Sequence, residues 1–527
     1  MRKGSTMIDI LRTPDDIRVF CEKGGQGADV RTELKEQKLH VYLKASNVRP
    51  KYICMRWKHR ITEHVRIMGD TWERSYGDLE WHSLNGEIFM PWYFMANSAK
   101  ETVGCGVMVQ PNSLVSFQCD ASGVTAWLDV RSGGQGVRLG DRELLCAVFV
   151  CEHYTGMSAF AATTEFCKLM SPNPRLPKQP VYGSNNWYYA YGNSSKEEIL
   201  KDTALLVELT KDNANRPYMV IDDGWSIHSV CGPWTANEKF GDMKSLADEM
   251  KSMGVRPGLW FRPLHDAKVY EEHPEWRLHK GADKATLTFL DPSHPEVKTY
   301  LHGEMSKIRE WGFELVKHDF STYDMFDRFG FDLNGKLAVS DDWTFYDDTK
   351  TSAEIVLEFY HILREAAGDM VLIGCNTVSH LSAGIFEINR TGDDTSGKTW
   401  SRTRAIGVNT LAFRLCQNRA FYMVDADCVG ILEDYIDWEL NRQWLELLAY
   451  SGSPLFVSMQ PSVVSDAMKT DLKRAFAINS VQQNAAEPLD WIYNNQPQEW
   501  LIDNELRTFD WVMDSYPTLL AGKIQDY

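Results

Sequence analysis

The sequence contains 527 residues, of which 43% are hydrophobic and 24% are charged. This composition is typical of a soluble globular protein, and the length predicts several domains, since one domain has roughly 150 residues. Acidic residues outnumber basic residues by 73 to 56, which gives a net charge of -17. Because this charge repels phosphate backbones and anionic lipids, we expect neither nucleic acid nor membrane partners.

The first residues and the cysteines predict a cellular location. Residues 1–18 lack the apolar run of roughly 7 to 15 residues of a signal peptide, and no later stretch reaches the roughly 18 apolar residues of a membrane span. The 11 cysteines form no CxxC pair, and their odd number excludes a complete disulfide framework. We therefore expect a cytoplasmic protein with reduced thiols. Without an HExxH motif or a histidine cluster, we also expect no metal and no organic cofactor.

The first third of the chain has the pattern of an antiparallel β domain. Short alternating apolar runs, such as Val115, Phe117 and Cys119, are separated by turn residues from about 41 to 150. Segment 171–180, SPNPRLPKQP, is too rich in proline for a helix or an inner strand. The sequence therefore predicts a domain boundary there.

After this boundary, short apolar runs alternate with helical stretches, which indicates repeated βα units and a parallel sheet. Ser195 with Glu198 and Ser293 with Glu296 have the spacing of helix capping boxes, and Pro295 favours the first helical turn. The predicted strands are 181–187, 217–225, 256–263, 314–320, 370–375, 385–389, 420–424 and 454–458. Eight such units predict a (β/α)8 barrel. A doubly wound open sheet is less favoured, because no GxGxxG or GxxxxGK loop follows any strand.

The last part of the chain has a weaker pattern. A helix over 465–478 could close the barrel, and no repeated strand pattern long enough for a full third domain follows it. We expect a multidomain β plus α/β protein with an N-terminal antiparallel β-sandwich at 1–176 and a catalytic (β/α)8 TIM barrel at 177–465. Residues 466–527 would hold the barrel-closing helix and a short C-terminal segment.

Polar residues at the carboxyl ends of barrel strands form the active site in this architecture. The second strand ends in Asp222 and Asp223, and paired carboxylates accept strong hydrogen bonds from sugar hydroxyl groups. A cap of the next loop or helix is the less favoured alternative. In the third strand, Trp260 could form an apolar wall against a pyranose ring or pack in the core.

The fourth strand carries Lys317 and Asp319, which are two residues apart and therefore share one face. A buried lysine needs a negative partner, and Lys317 beside Asp319 would keep this carboxylate ionised, as a nucleophile requires. A structural ion pair is the alternative. His318 points to the opposite face, where packing is the favoured interpretation.

Three further strands end in polar residues. Cys375 and Asn376 follow the fifth strand and alone predict little. Asp393 and Asp394, after the sixth strand, form a second carboxylate pair on a glycine-containing turn. A glycosidase needs one carboxylate to attack and another to transfer protons, and Asp319 with one of these two supplies both. The seventh strand ends in two further aspartates, at 425 and 427, for which we favour a loop-capping role.

The motifs, in this order, resemble those of the α-galactosidases of glycoside hydrolase family 36, and more distantly family 27. The similarity runs from the GDTWERSYGDLEW segment, 69–81, through the barrel to at least Pro454. It implies a retaining α-glycoside hydrolase that releases terminal α-linked galactose by double displacement. It also implies that Lys317 binds the sugar and that Asp319 is the nucleophile.

The same resemblance implies the remaining roles. Asp222 and Asp223 would bind the galactose 4- and 6-hydroxyl groups, and Cys375 would lie near the 2-hydroxyl group. The family tryptophan of the third strand matches Trp260. Its acid/base aspartate stands four residues after a binding arginine, and this spacing from Arg390 selects Asp394 over Asp393.

Two departures from the family leave alternatives open. Asn376 and Thr377 replace glycines, so an α-N-acetylgalactosaminidase, another α-galacto-configured glycosidase or a transglycosylase are alternatives. The C-terminal β domain of the family is shortened. Rival interpretations are a lyase or isomerase in which Lys317 is the base, and a sugar-binding protein without catalysis. Assembly into a homo-oligomer stays open.

Overall fold

The computed structural model describes residues 8–61, 64–278, 289–329, 341–433 and 436–512. Within these ranges, the first twelve strands form two antiparallel sheets with the orders β1-β4-β11-β10-β7 and β2-β3-β12-β9-β8-β5-β6. Their bounds are β1 (Asp16–Cys21), β2 (Asp29–Lys35), β3 (Lys38–Lys44), β4 (Pro50–Lys58), β5 (Arg66–Gly69), β6 (His82–Ser83), β7 (Asn85–Pro91), β8 (Tyr93–Asn97), β9 (Thr102–Val107), β10 (Leu114–Asp120), β11 (Gly123–Asp129) and β12 (Leu144–Tyr154).

The two antiparallel sheets share an apolar core. Val115, Phe117 and Cys119 alternate along β10 and are all buried. The ring of Phe117 meets that of Phe149 on β12 at a centroid distance of 5.9 Å, edge to face. Because side chains alternate between the two faces of a strand, these three residues point to the same side of the sheet. The predicted antiparallel β structure is confirmed in this region.

The next part of the chain supplies one parallel sheet and a hairpin. The strands are β13 (Tyr182–Asn185), β14 (Tyr218–Ile221), β15 (Ser226–His228), β16 (Cys231–Ala236), β17 (Arg256–Phe261), β18 (Leu315–His318), β19 (Val371–Gly374), β20 (Ile388–Arg390), β21 (Met423–Asp425), β22 (Cys428–Ile431) and β23 (Leu455–Met459). β15 and β16 form the hairpin, and the other nine described strands have the order β21-β20-β19-β18-β17-β14-β13-β23-β22. Only Ala426 and Asp427 separate β21 from β22, so the sheet starts and ends at one place in the chain. This arrangement is consistent with a (β/α)8 barrel.

Helices connect the parallel strands. They are α1 (Ala159–Met170), α2 (Trp187–Ala190), α3 (Lys196–Thr210), α4 (Met243–Met253), α5 (Ala267–Glu272), α6 (Pro295–Glu310), α7 (Ser321–Phe326), α8 (Ser352–Ala367), α9 (Ser379–Ser382), α10 (Trp400–Thr403), α11 (Asn409–Arg414), α12 (Trp438–Tyr450) and α13 (Asp466–Asn479). A π-helical turn, Arg404–Val408, joins α10 to α11. No helix in the described ranges is long and apolar enough to cross a bilayer.

Each of the eight predicted runs overlaps a strand of the parallel sheet. The structure adds one feature, since the seventh run continues as β22 after a break at Ala426 and Asp427. The backbone of Asp427 has a φ of 74°, which is incompatible with an extended strand. The predicted helix over 465–478 is confirmed as α13, and the hydroxyl of Ser465 accepts a hydrogen bond from the Met468 amide.

One sequence prediction about local structure is wrong. Ser293 does not cap α6, because its hydroxyl donates to Asp291 at 2.6 Å, and the ring of His294 accepts from the Glu296 amide instead. The C-terminal part also contains a small antiparallel sheet, formed by β24 (Glu487–Pro488), β25 (Glu499–Ile502) and β26 (Glu505–Thr508). Strands of two to four residues are too short to show an alternating pattern.

Candidate active site

All the predicted site residues line one cavity of about 270 Å³ at the carboxyl ends of the parallel strands. They are Asp222, Asp223, Trp260, Lys317, Asp319, Cys375, Arg390 and Asp394. Four strands of the parallel sheet contribute to one buried apolar cluster, which includes Val220, Leu315, Ile373 and Ile388. Since side chains two residues apart share a face, the residues that follow these apolar positions open onto the cavity.

The strand that carries Asp319 separates two environments. Lys317 and Asp319 line the cavity, whereas His318 packs against Phe359 of α8 and Phe386. The predicted packing role of His318 is confirmed. Burial lowers the pKa of the His318 imidazole to about 3, so the ring is neutral at physiological pH.

Lys317 is held by Asp222 rather than by Asp319. Its ammonium group donates to Asp222 Oδ2 at 2.7 Å, and Asn185 Nδ2 donates to the same oxygen at 2.6 Å. Burial alone would lower the pKa of Lys317, but the charge of Asp222, with smaller contributions from Cys375 and Asp319, raises it above its usual value. The direct partner of this lysine is therefore Asp222, and Asp319 acts on it through its charge.

The second carboxylate of this pair, Asp223, binds the loop between β15 and β16. Ser229 Oγ donates to Asp223 Oδ2 at 2.6 Å, and the Val230 amide donates to Oδ1 at 2.8 Å. Burial raises the pKa of Asp223 and is only partly opposed by these hydrogen bonds. Gly224 makes the sharp turn after the pair, with a φ of 106° and a neighbouring backbone that a Cβ atom would overlap.

Asp319 is oriented by donors on both of its oxygens. Trp260 Nε1 donates to Oδ2 at 3.0 Å, and the Phe320 amide donates to Oδ1 at 2.7 Å. The side chain lines the cavity although the residue is only 8% exposed. The indole of Trp260 thus positions the carboxylate as well as lining the cavity.

Asp394 stands in a strongly positive environment. Arg390 Nη2 donates to Asp394 Oδ1 at 2.9 Å, and the Asp394 side chain is 42% exposed. Partial burial acts to raise the pKa of Asp394, but the charges of Arg390, Arg74 and Lys317 outweigh it and lower this pKa to about 2.

The arginine that contacts Asp394 is itself anchored by Asp427. Arg390 Nη2 lies 2.9 Å from Asp427 Oδ2, and this oxygen also accepts from the Thr395 amide at 2.7 Å. Asp425 accepts from the Asp427 amide at 2.9 Å, as expected of a loop cap. For Asp427 the capping interpretation is incomplete, because this residue also fixes the loop that carries Asp394.

A segment from the first third of the chain reaches the cavity and was not identified by reasoning from strand ends. The Ser75 amide donates to the Thr391 carbonyl at 2.8 Å, and the Asp393 amide donates to the Ser75 carbonyl at 3.0 Å. This pairing brings Arg74 to 3.6 Å from Asp393 Oδ1 and 3.7 Å from Asp394 Oδ1. Locally, Arg74 is only a charged residue within an aromatic stretch. Nothing in this stretch indicates that it pairs with a segment 316 residues further along the chain.

The other cavity-lining residues include Tyr76, Trp187, Asn376 and Asp393. Asp393 binds Arg402, whose Nη2 donates to Oδ2 at 2.5 Å. Within the described ranges, no group of three or more histidine, cysteine, aspartate or glutamate side chains could hold a metal ion.

Carboxylates and a buried lysine gather at the carboxyl ends of the parallel strands. This arrangement is typical of the (β/α)8 barrel enzymes, whose active site lies at that end of the barrel. The comparisons show which proteins the chain is similar to. Residues 148–328 match the family model described as Melibiase. The structure is similar to TtGalA, an α-galactosidase from Thermus thermophilus, with a TM-score of 0.62 and 15% identity, covering 94% of this chain and 99% of that one.

Further relatives point to the same family. The GH36 α-galactosidase AgaA from Geobacillus stearothermophilus gives a TM-score of 0.63 at 13% identity, covering 92% of this chain and 78% of that one. The probable α-galactosidase C of Aspergillus flavus is 29% identical over 166 residues, which cover 26% of this chain and 21% of that protein. The chain thus spans about one fifth of the length of this curated relative. The resemblance to glycoside hydrolase family 36 is confirmed.

Proposed function

We propose that the protein is a retaining α-glycoside hydrolase that removes terminal α-linked galactose from oligosaccharides or glycoconjugates. The observation that carries this proposal is the convergence of Asp319, Asp394 and the other six predicted residues on one cavity. TtGalA has been solved with p-nitrophenyl α-D-galactopyranoside and with stachyose, which supports an α-galactoside as substrate.

In this proposal, the catalytic unit is a closed (β/α)8 barrel at 177–465, preceded by a β-sandwich at 1–176 and followed by 466–527. The core shared by the two antiparallel sheets supports the sandwich, and the strand order supports the closed barrel. A cytoplasmic location and a homo-oligomeric state stay outside this argument.

The first chemical step is attack by Asp319 on the anomeric carbon, which breaks the glycosidic bond and forms a covalent glycosyl-enzyme. Hydrogen bonds from Trp260 and from the Phe320 amide fix the carboxylate for this attack. Asp394 donates its proton to the departing oxygen. Water then releases the sugar as Asp394 accepts a proton, with net retention of configuration.

The low pKa of Asp394 suits the second step, in which an ionised carboxylate deprotonates water. For the first step its pKa has to rise. A bound sugar would supply this change, because its hydroxyl groups compete for the donors of Arg390 and its bulk excludes water from the cavity.

Asp222 and Asp223 bind the 4- and 6-hydroxyl groups, with Lys317 completing the contact to the sugar. The ammonium group already holds Asp222 Oδ2, so the remaining lone pairs of this carboxylate can accept hydroxyl protons. Cys375 lies beside Arg390, with 3.8 Å between Sγ and Nη1, on the side assigned to the 2-hydroxyl group.

A panel of aryl α-glycosides tests the proposal: galactose, N-acetylgalactosamine, glucose and L-arabinose compounds are offered to the wild-type protein. We expect the galactoside to be cleaved with the highest kcat/KM, and Asp319→Asn to lose at least about 1,000-fold in kcat. Asp248→Asn is the control, since this exposed carboxylate lies on α4 outside the cavity. Binding of the galactoside without cleavage by the wild type would contradict the proposal.

A further inference from the structure

The residue after Cys375 has a strained and closely held backbone. Asn376 has a φ of 61°, in the left-handed region that asparagine tolerates better than most residues. Its carbonyl accepts from the Thr322 amide at 3.1 Å and from the Ser321 hydroxyl at 3.3 Å. Contacts from the first turn of α7 therefore hold this backbone at the cavity wall, and such strain is frequent at binding sites.

The side chain of Asn376 offers a donor that the described residues leave unused. It lines the cavity and is only 1% exposed. Oδ1 accepts from the Tyr323 amide at 3.4 Å, whereas no described residue accepts a hydrogen bond from the buried Nδ2. A buried amide without an acceptor is unfavourable, so a ligand oxygen at this point would be strongly favoured.

The position of this donor relates it to one part of the sugar. Asn376 directly follows Cys375, which the proposed function places near C2 of the ring. The thiol of Cys375 is a weak acceptor, and burial raises its pKa above the usual value, so it stays protonated. Together the two side chains can donate hydrogen bonds to an oxygen on C2. They are only weak acceptors for the proton of that hydroxyl group.

We propose that Asn376 is a specificity-determining residue whose Nδ2 donates a hydrogen bond to the 2-hydroxyl oxygen of an α-galactoside. This inference rests on the proposed function and narrows its substrate. A 2-hydroxyl oxygen accepts a hydrogen bond, whereas the nitrogen attached to C2 in a 2-acetamido sugar carries an N–H that would face another donor. Asn376 therefore selects galactose over N-acetylgalactosamine.

The inference makes a quantitative prediction for three substrates: aryl α-galactoside, its 2-deoxy analogue and its 2-acetamido analogue. A site that binds a hydroxyl group discriminates against analogues that lack it, because its own polar groups are then left unpaired. We expect the wild type to prefer the galactoside over either analogue by at least about 10-fold in kcat/KM, the lower part of the range for one buried hydrogen bond.

Two variants at this position separate the donor from the backbone. Asn376→Gly removes the side chain and keeps the left-handed conformation, so the preference over the 2-deoxy analogue should fall to about 2-fold or less. Asn376→Asp keeps the shape and replaces the donor with an acceptor. We expect it to raise the relative kcat/KM of the 2-acetamido analogue over the galactoside by about 10-fold.

Thr377→Val is the matched control. Its hydroxyl donates to Asn389 Oδ1 at 2.6 Å, in the same turn but outside the cavity lining. It should affect all three substrates equally and leave their ratios unchanged, and thermal unfolding of each variant shows whether it is folded.

The outcomes distinguish this inference from the function on which it rests. Loss of the 2-hydroxyl preference in Asn376→Gly, with the ratio kept in Thr377→Val, supports it. Cleavage of the galactoside with an unchanged ratio in Asn376→Gly overturns the inference alone, whereas a wild-type preference for the 2-acetamido compound overturns the inference and the assignment of galactose as the substrate. Failure of the wild type to cleave any of the three overturns the proposed function as well.

Discussion

The two carboxylate pairs at the mouth of the barrel are held in different ways. Asp222 and Asp223 directly follow a strand, and their main partners are a buried lysine and the loop of an adjacent hairpin. Asp393 and Asp394 lie on a loop and meet arginines from three separate segments of the chain, at 74, 390 and 402. The first pair is part of the barrel framework, whereas the second depends on contacts that are distant in sequence.

This difference is reflected in the proton affinity of one carboxylate from each pair, Asp223 and Asp394. Burial raises the pKa of Asp223, whose partners are neutral donors, while positive charges lower the pKa of Asp394 to about 2. A carboxylate that is fixed by a strand suits a binding role. A carboxylate whose charge depends on arginines and on the bound ligand suits proton transfer.

The largest effect is expected where the framework pair is broken. Lys317→Met leaves Asp222 buried without its ammonium partner, and such a change costs about 3 to 5 kcal/mol of the free energy of unfolding. Chemical denaturation measures this loss, and kcat/KM for the galactoside should fall by at least about 100-fold. The control is Lys244→Met, since Lys244 pairs with Asp248 on the exposed face of α4 at 3.3 Å. An equal loss of stability in both variants would show that the buried ion pair of Lys317 contributes no more than the exposed ion pair of Lys244.

The next effect concerns the pH dependence of the loop pair. Arg74→Met removes a positive charge 3.7 Å from Asp394, which disfavours the ionised carboxylate and raises its pKa. Since a general acid is active when protonated, the alkaline limb of the kcat/KM profile should move to higher pH. Arg74→Lys retains the charge and should keep more of the wild-type profile. A fall in activity at all pH values with no shift of this limb would show that Arg74 acts only on structure.

How much of this site could be predicted depends on the sequence distance between its parts. Asp222 and Asp319 were found because an apolar strand and the polar residue at its end are adjacent in the chain. The same reasoning missed Arg74, because the pairing of Ser75 with Thr391 depends on how two distant segments dock. It also did not predict the direct partner of Lys317, since the geometry between neighbouring strands decides that the lysine reaches Asp222.

Local signals also failed where side chains had alternative partners. The Ser293 hydroxyl binds Asp291, so the capping pattern did not determine the cap of α6. The three short C-terminal strands had too few residues for an alternating pattern. The eight strands of the parallel sheet could be predicted because they lie within continuous apolar runs, although their ends were placed one to four residues too far out in most cases.

The smallest effect on activity at pH 7 is expected on the outer face of the strand that carries Asp319. Neither ring nitrogen of His318 has a hydrogen-bond partner among the described residues, and burial lowers its pKa to about 3. The unfolded state therefore binds the proton more readily between pH 6.5 and 3, and stability falls with pH by up to about 1.4 kcal/mol per unit. His318→Leu should remove this dependence and change kcat at pH 7 by less than about 2-fold.

Thermal or denaturant unfolding of His318→Leu and the wild type across this pH range makes the comparison. If the two proteins lose stability in parallel as the pH falls, the imidazole is not the group responsible. If kcat changes as much as in Arg74→Met, the outer face of the strand cannot be treated as separate from the cavity.

The central claim, that Asp319 attacks the sugar and Asp394 transfers the proton, is tested most directly by azide rescue. In Asp319→Gly, azide can enter the space of the missing carboxylate and attack an activated aryl α-galactoside from the same side. The account predicts a product of β-galactosyl azide, identified by proton NMR. Near-normal hydrolysis by Asp319→Gly without azide, or an azide product of α configuration, would contradict it.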